Sequence, residues 1–191
     1  MLRTTLLALL ALAGIGLHAQ VQFFETYADW RAGKPSATYA KDRGHGMSFG
    51  KPYLIVSDEE GGKTKNVSLK NVWGYVKNGK LYRWDKKDSY RNVVLKTEGA
   101  ICEWASISAG RDYSNNTVSD YLLFITVGVD GKIIPLPHGL KNPPQGRYNS
   151  FKQEHRDGHL AHFIACLEAT DQVEAAKDCI ARFNETHGTE P

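Results

Sequence analysis

Asn78-Gly79 stands between Val72-Trp73-Gly74-Tyr75-Val76 and Lys80-Leu81-Tyr82-Arg83-Trp84. An Asn-Gly pair between β-branched and aromatic runs suits a two-residue turn whose central residues both need positive φ, so this stretch predicts a β-hairpin. Two further pairs follow it. Arg91–Glu98 and Ala100–Ser108 turn at Glu98-Gly99, and Tyr121–Val129 and Lys132–Leu136 turn at Asp130-Gly131, with the polar run Ser114-Asn115-Asn116-Thr117 between the pairs. Turns this short can join only antiparallel neighbours, so the middle of the chain predicts an antiparallel meander, as a sheet or a partly closed barrel. Tyr53-Leu54-Ile55-Val56 is an earlier strand candidate, and Asp58–Gly62 reads as a solvated hairpin tip. Nearer the start, Phe23, Tyr27 and Trp30 recur at helical spacing and predict a short helix that stops near Gly33 and Pro35.

The pattern changes after the third hairpin. Pro135, Pro137, Pro143 and Pro144 predict the end of a β part spanning about 40–137 and a linker over about 138–150. Beyond it, Leu160, Phe163, Ile164 and Leu167 recur at helical spacing behind Asp157, a suitable N-cap. Val173, Ala176, Ile180 and Phe183 repeat the pattern behind Thr170-Asp171, with Glu174 placed for a capping box. Two amphipathic helices over about 154–187 must lay their apolar faces on something, and the sheet offers the area. The expectation is a single α+β domain over 20–191, an antiparallel meander followed by a C-terminal helical hairpin packed on it.

Residues 1–19 read as a cleavable secretory signal. Arg3 supplies the positive start, Leu6–Leu17 the apolar segment, and Leu17-His18-Ala19 a small-residue cleavage site before Gln20. The apolar segment is about 12 residues, against the about 20 that a membrane-spanning helix needs. This predicts a secreted or periplasmic protein with no membrane span after cleavage. The formal net charge is +3, one unit of it from Arg3, which implies no general attraction to nucleic acid. Three cysteines are too few for a disulfide scaffold. Cys166 and Cys179 flank the helix turn at similar heights and are candidates for one bond, while Cys102 could pair with either instead. Asn66, Asn115 and Asn184 begin glycosylation sequons.

Val72-Trp73-Gly74-Tyr75-Val76-Lys77-Asn78-Gly79-Lys80-Leu81-Tyr82-Arg83 and the tail Cys179-Ile180-Ala181-Arg182-Phe183-Asn184-Glu185 carry a resemblance. Together with Ala28-Asp29-Trp30-Arg31-Ala32-Gly33-Lys34-Pro35-Ser36 and the His-Ala-Gln signal end, they resemble small exported proteins of Bacteroidota. The resemblance implies export and this architecture. It carries no activity and no catalytic residue onto this chain.

Three constellations invite chemistry. His155, His159 and His162, with Cys166, would form one stripe if a single helix ran through them, and imidazoles one turn apart can chelate Zn or Cu. Against this, Gly158 and the capping character of Asp157 favour a helix starting there, and Arg156 stands where a zincin needs its general-base Glu. Trp73, Tyr75, Tyr82, Arg83 and Trp84 form a basic and aromatic hairpin whose flat rings could stack nucleobases or meet a sugar, although Asp85 and Asp88 dilute its charge and such rings more often fill a core or pair across strands. Nucleophilic chemistry lacks a pattern, with no Gly-x-Ser-x-Gly elbow and no phosphate-binding Gly loop. Glu103, a charge among apolar strand residues, would face water if its strand is half exposed. The reading is therefore a non-enzymatic, cofactor-free binding or accessory module for a protein, glycan or envelope component. The alternative is a metal-binding protein or metal-dependent hydrolase built on the histidines.

Overall fold

The computed structural model describes residues 20–48, 51–59, 61–87, 91–111, 117–138 and 145–188, and the expected signal segment lies outside them. The chain forms two compact units, Met1–Leu81 and Tyr82–Pro191. The first carries β1 (Val21–Phe24), α1 (Tyr27–Arg31), β2 (Ala37–Tyr39), β3 (Lys41–Ser48), β4 (Lys51–Ser57), β5 (Thr64–Ser68), β6 (Gly74–Lys77) and the start of β7 (Lys80–Asp85). The second continues with β8 (Arg91–Thr97), β9 (Ile101–Arg111), β10 (Thr117–Val127), β11 (Ile134–Pro135), α2 (Gln145–His155), α3 (Ala161–Glu168) and α4 (Val173–His187).

In the first unit β1 is the middle of an antiparallel ladder, with β6 on one side and β2 on the other. Phe23 lies opposite Tyr75 and Ala37, and its ring meets Tyr39 at 5.7 Å and Tyr75 at 5.9 Å. That placement corrects the helix expected to include Phe23. Val21 and Phe23 alternate into the core as strand residues, and the helix begins only where Thr26 can cap it. A second antiparallel sheet, β3-β4-β5, buries Leu54 and Val56. The predicted turn is present: Asn78 and Gly79 have φ of 52° and 71°. Both are left-handed, as a two-residue hairpin whose twist matches its strands requires.

In the second unit β8, β9, β10 and β11 pair consecutively and antiparallel, and β9 and β10 match over their full length from Ile101–Val127 to Arg111–Thr117. Among the described residues β11 pairs only with β10, and β2 only with β1, so these ladders end in free edges. Glu103 lies on a stretch of β9 that is buried rather than half exposed, and so it does not face water. It sits at 9% exposure among the buried residues Cys102, Trp104 and Ala105.

The helices pack on this sheet. Ile101, Leu123, Ile125, Ile134 and Leu136 form one core with Leu160, Phe163, Ile164 and Leu167 before and on α3, and with Ile180 and Phe183 of α4. Each such side chain contributes about 1.5–3 kcal/mol on full burial, so this layer is the main source of stability for the hairpin. The end of α4 is gripped by side-chain bonds. Asn184 Oδ1 accepts from the Ile101 N–H at 2.9 Å, and Asn184 Nδ2 donates to the Ile101 carbonyl at 2.8 Å. Gly99 lies so close that a Cβ there would come 2.4 Å from Nδ2.

Two expectations change here. The linker at 138–150 is partly helix, because α2 starts at Gln145 and buries Tyr148 and Phe151 in the same core. The late helices also start differently. α3 begins after Leu160 rather than Asp157, since the Gly158 N–H donates to the His155 carbonyl and the Ala161 N–H to the Gly158 carbonyl, closing turns instead of a helix. α4 is capped at Gln172, with Glu174 bound to Lys177 rather than to a cap. Cys166 and Cys179 are bonded across the α3–α4 hairpin, with Cα atoms 5.9 Å apart. Cys102 is free and buried, its thiol donates to the Gly99 carbonyl at 3.3 Å, and burial pushes its pKa up, so it stays protonated and inert. No helix among the described residues is long and apolar enough to cross a membrane.

Tyr148 gives the fold a pH dependence. Its hydroxyl is buried without a hydrogen-bond partner among the described residues, and burial, with Glu168 adding to it, pushes its pKa up to about 12. An unfolded tyrosine ionises near about 10. Its share of stability is therefore complete below pH about 10 and is lost as pH rises from there towards about 12. Tyr148→Phe removes an unsatisfied buried group. We expect urea unfolding at pH 8 to show unchanged stability or a gain of up to about 1 kcal/mol, and a shallower loss between pH 10 and 12 than in the parent chain.

Candidate functional site

Trp73 enters the site from the turn before β6, where its N–H donates to the Phe24 carbonyl at 2.9 Å. Opposite it lies α1, a helix too short to hold itself in water. A capping box steadies it. Thr26 Oγ1 accepts from the Asp29 N–H at 3.1 Å, and Asp29 Oδ2 accepts from the Thr26 N–H at 3.1 Å and from the Thr26 hydroxyl at 2.6 Å. The three-residue spacing from Tyr27 to Trp30 puts both rings on one side of this turn. Their centroids are 5.7 Å apart, and each meets Trp73, Tyr27 at 5.5 Å and Trp30 at 5.7 Å. All three side chains are half-buried, so the group remains at the surface of the first unit.

The triad is chemically one-sided. Its ring faces offer a broad apolar surface, while Glu25, Arg31 and Lys34, nearby in sequence, are exposed. None of its members is an acid, base or nucleophile suited to neutral pH. What it can do is stack. Flat aromatic faces next to exposed hydrogen-bonding groups suit a ligand with one apolar and several polar edges.

The other residues of the expected aromatic strip go elsewhere. Tyr75 is 2% exposed and packs on Phe23 in the core of the first unit. In the second unit Trp84 is buried, and Tyr82 is half-buried. Arg83 holds the turn after β10: Nη1 donates to the carbonyls of Val129 at 2.7 Å and Gly131 at 2.9 Å, and the guanidinium lies 5.5 Å from the Trp104 ring centroid. Burial lowers its pKa below the ordinary arginine range, with Asp130 pulling the other way. Only Trp73 of the strip joins the triad. Tyr27 and Trp30 were visible in the sequence as helically spaced rings, but nothing local marked them as neighbours of Trp73.

The histidines do not form a stripe. His155 is the last residue of α2 and packs against Phe151 with ring centroids 4.9 Å apart, His159 is exposed in the turn, and His162 is exposed on α3. The helix break at Asp157-Gly158 separates them. Cys166 is committed to its disulfide. Among the described residues no three His, Cys, Asp or Glu side chains gather as metal ligands. His155 instead helps line a cavity of about 170 Å³ with Val127, Lys132, Ile134, Phe151 and Glu154. A second, more polar cavity of about 270 Å³ lies between α2 and α3, where Lys152 and Glu168 are bridged at 2.8 Å.

Asp85 and Arg147 were missed as a pair. Arg147 Nη1 donates to Asp85 Oδ1, and Nη2 meets Oδ2, both at 2.7 Å, with the carboxylate side chain only 3% exposed. Arg147 Nη1 also donates to the Ile133 carbonyl at 3.2 Å. This clamp docks α2. No protein-family model, curated protein or solved structure matches the chain.

Proposed function

We propose that the chain is an exported, non-enzymatic module that binds glycan through Tyr27, Trp30 and Trp73. The observation that carries this reading is the gathering of three half-exposed rings within 5.5–5.7 Å of one another, two on a helix fixed by its own capping box and the third, Trp73, from the turn before β6. A pyranose ring has an apolar face of C–H groups that suits flat aromatic rings and a rim of hydroxyls that suits exposed polar side chains such as Glu25, Arg31 and Lys34, nearby in sequence. Preorganised aromatics lose little side-chain freedom on binding, so a small platform can give useful affinity. The signal-like Met1–Ala19 supports an extracytoplasmic setting, where such ligands are abundant.

Two of the rings are tryptophans, so binding can be read from intrinsic fluorescence. We expect soluble hexose and N-acetylhexosamine oligosaccharides to shift the emission saturably. Trp73→Ala is expected to weaken that binding about 10- to 100-fold, the cost of a central aromatic contact, while circular dichroism stays unchanged. Absence of saturable binding across the glycan panel, or unaltered affinity in the variant, rules out this site.

A further inference from the structure

We propose that the Cys166–Cys179 disulfide is a thiol-exchange site whose reduced form is stabilised by Arg182. Arg182 is exposed on α4, and its Nη2 lies 3.1 Å from Cys166 Sγ and 3.8 Å from Cys179 Sγ. Its Nε donates to the Asp178 carbonyl at 3.3 Å, which holds the guanidinium over the bond. A neutral disulfide sulfur is a weak acceptor and returns little to a cation, whereas a thiolate presents a full negative charge. The same contact therefore stabilises the reduced pair more than the oxidised one. An arginine beside a cysteine is a recognised way of favouring the thiolate.

The two sulfurs differ in access. Cys166 is half-exposed, while Cys179 is 3% exposed. An incoming thiolate therefore attacks Cys166 Sγ. A new S–S bond forms to Cys166 as the Cys166–Cys179 bond breaks, and the electron pair leaves on Cys179 Sγ within reach of Arg182. The second thiolate of the same dithiol then attacks its own sulfur in the mixed disulfide, which releases Cys166 as a thiolate beside the guanidinium. The dithiol becomes a disulfide, the protein gains two electrons, and two protons from solvent complete its thiols. The co-reactant is thus a dithiol. Nothing in this proposal depends on the aromatic triad, which lies in the other unit.

The test follows reduction of the intact folded protein by dithiothreitol, with free thiols trapped by alkylation and counted by mass. In Arg182→Gln we expect reduction to slow about tenfold and the equilibrium with dithiothreitol to shift about tenfold towards the disulfide, with Arg182→Lys recovering most of both. An arginine that merely braced the hairpin would act in the opposite direction, since its loss would loosen the helices and speed attack. Unchanged or faster reduction in Arg182→Gln overturns the proposal. A CXXC protein dithiol used in place of dithiothreitol identifies, by the faster reaction, whether the site favours a protein or a small reductant.

Discussion

Asp85→Ala is expected to lower the stability of the protein by about 3 kcal/mol, enough to move its urea midpoint by more than a molar unit for a typical slope. The carboxylate is 3% exposed and meets the Arg147 guanidinium through two contacts of 2.7 Å, and it also accepts from the Lys87 N–H at 3.2 Å. Removing it leaves a guanidinium that is 19% exposed with only the Ile133 carbonyl as a described acceptor. A buried pair need not add net stability over an apolar pair of the same shape, yet breaking one side exposes the full cost of the other. The double variant Asp85→Ala/Arg147→Met should therefore be more stable than Asp85→Ala alone. A double variant that is worse than the single one would show that Arg147 has other partners strong enough to hold it.

Arg83→Ala is expected to cost a similar amount, about 3 kcal/mol. Two charge-assisted hydrogen bonds to Val129 and Gly131 are lost, their carbonyls are left to find water, and the Trp104 face loses its cation. Arg83→Lys keeps the charge but has no planar fork to span both acceptors, so it should recover about half. If Arg83 were a ligand-binding residue with a free guanidinium, both variants would leave the denaturation midpoint in place. Thermal or urea unfolding of the three proteins decides between these outcomes.

These two residues also mark where sequence reasoning ends. Hairpins were legible because turn chemistry is local: Asn78-Gly79 states its own backbone geometry, and Glu98-Gly99 marks the turn between the paired strands β8 and β9. The α3 and α4 cores were legible because four apolar residues on each, counting Leu160 just before α3, repeat at helical spacing. α2 was not, since Tyr148 and Phe151 are its only large core residues and the prolines before it read as a linker. Arg83 read as part of a binding strip and Asp85 as a charge that dilutes it, because their partners, Val129, Gly131 and Arg147, lie far along the chain. The candidate site shows the same division. Trp73 was picked out by its own strand, whereas its meeting with Tyr27 and Trp30 depends on β1 pairing with β6, a contact that no local pattern announces. The histidine stripe failed for a local reason, the turn chemistry of Asp157-Gly158.

The grip of Asn184 on Ile101 has a consequence for where this protein can be made. Asn184 begins a sequon, and the nitrogen that would carry a sugar is the one that donates to the Ile101 carbonyl. In a host that glycosylates, the sugar is added to a chain still emerging, before α4 has met β9. Once it is attached, no room is left for it beside Gly99. Secretory production in such a host would therefore divide the product into chains that fold and chains barred from docking their last helix, while a host without the modification yields one species.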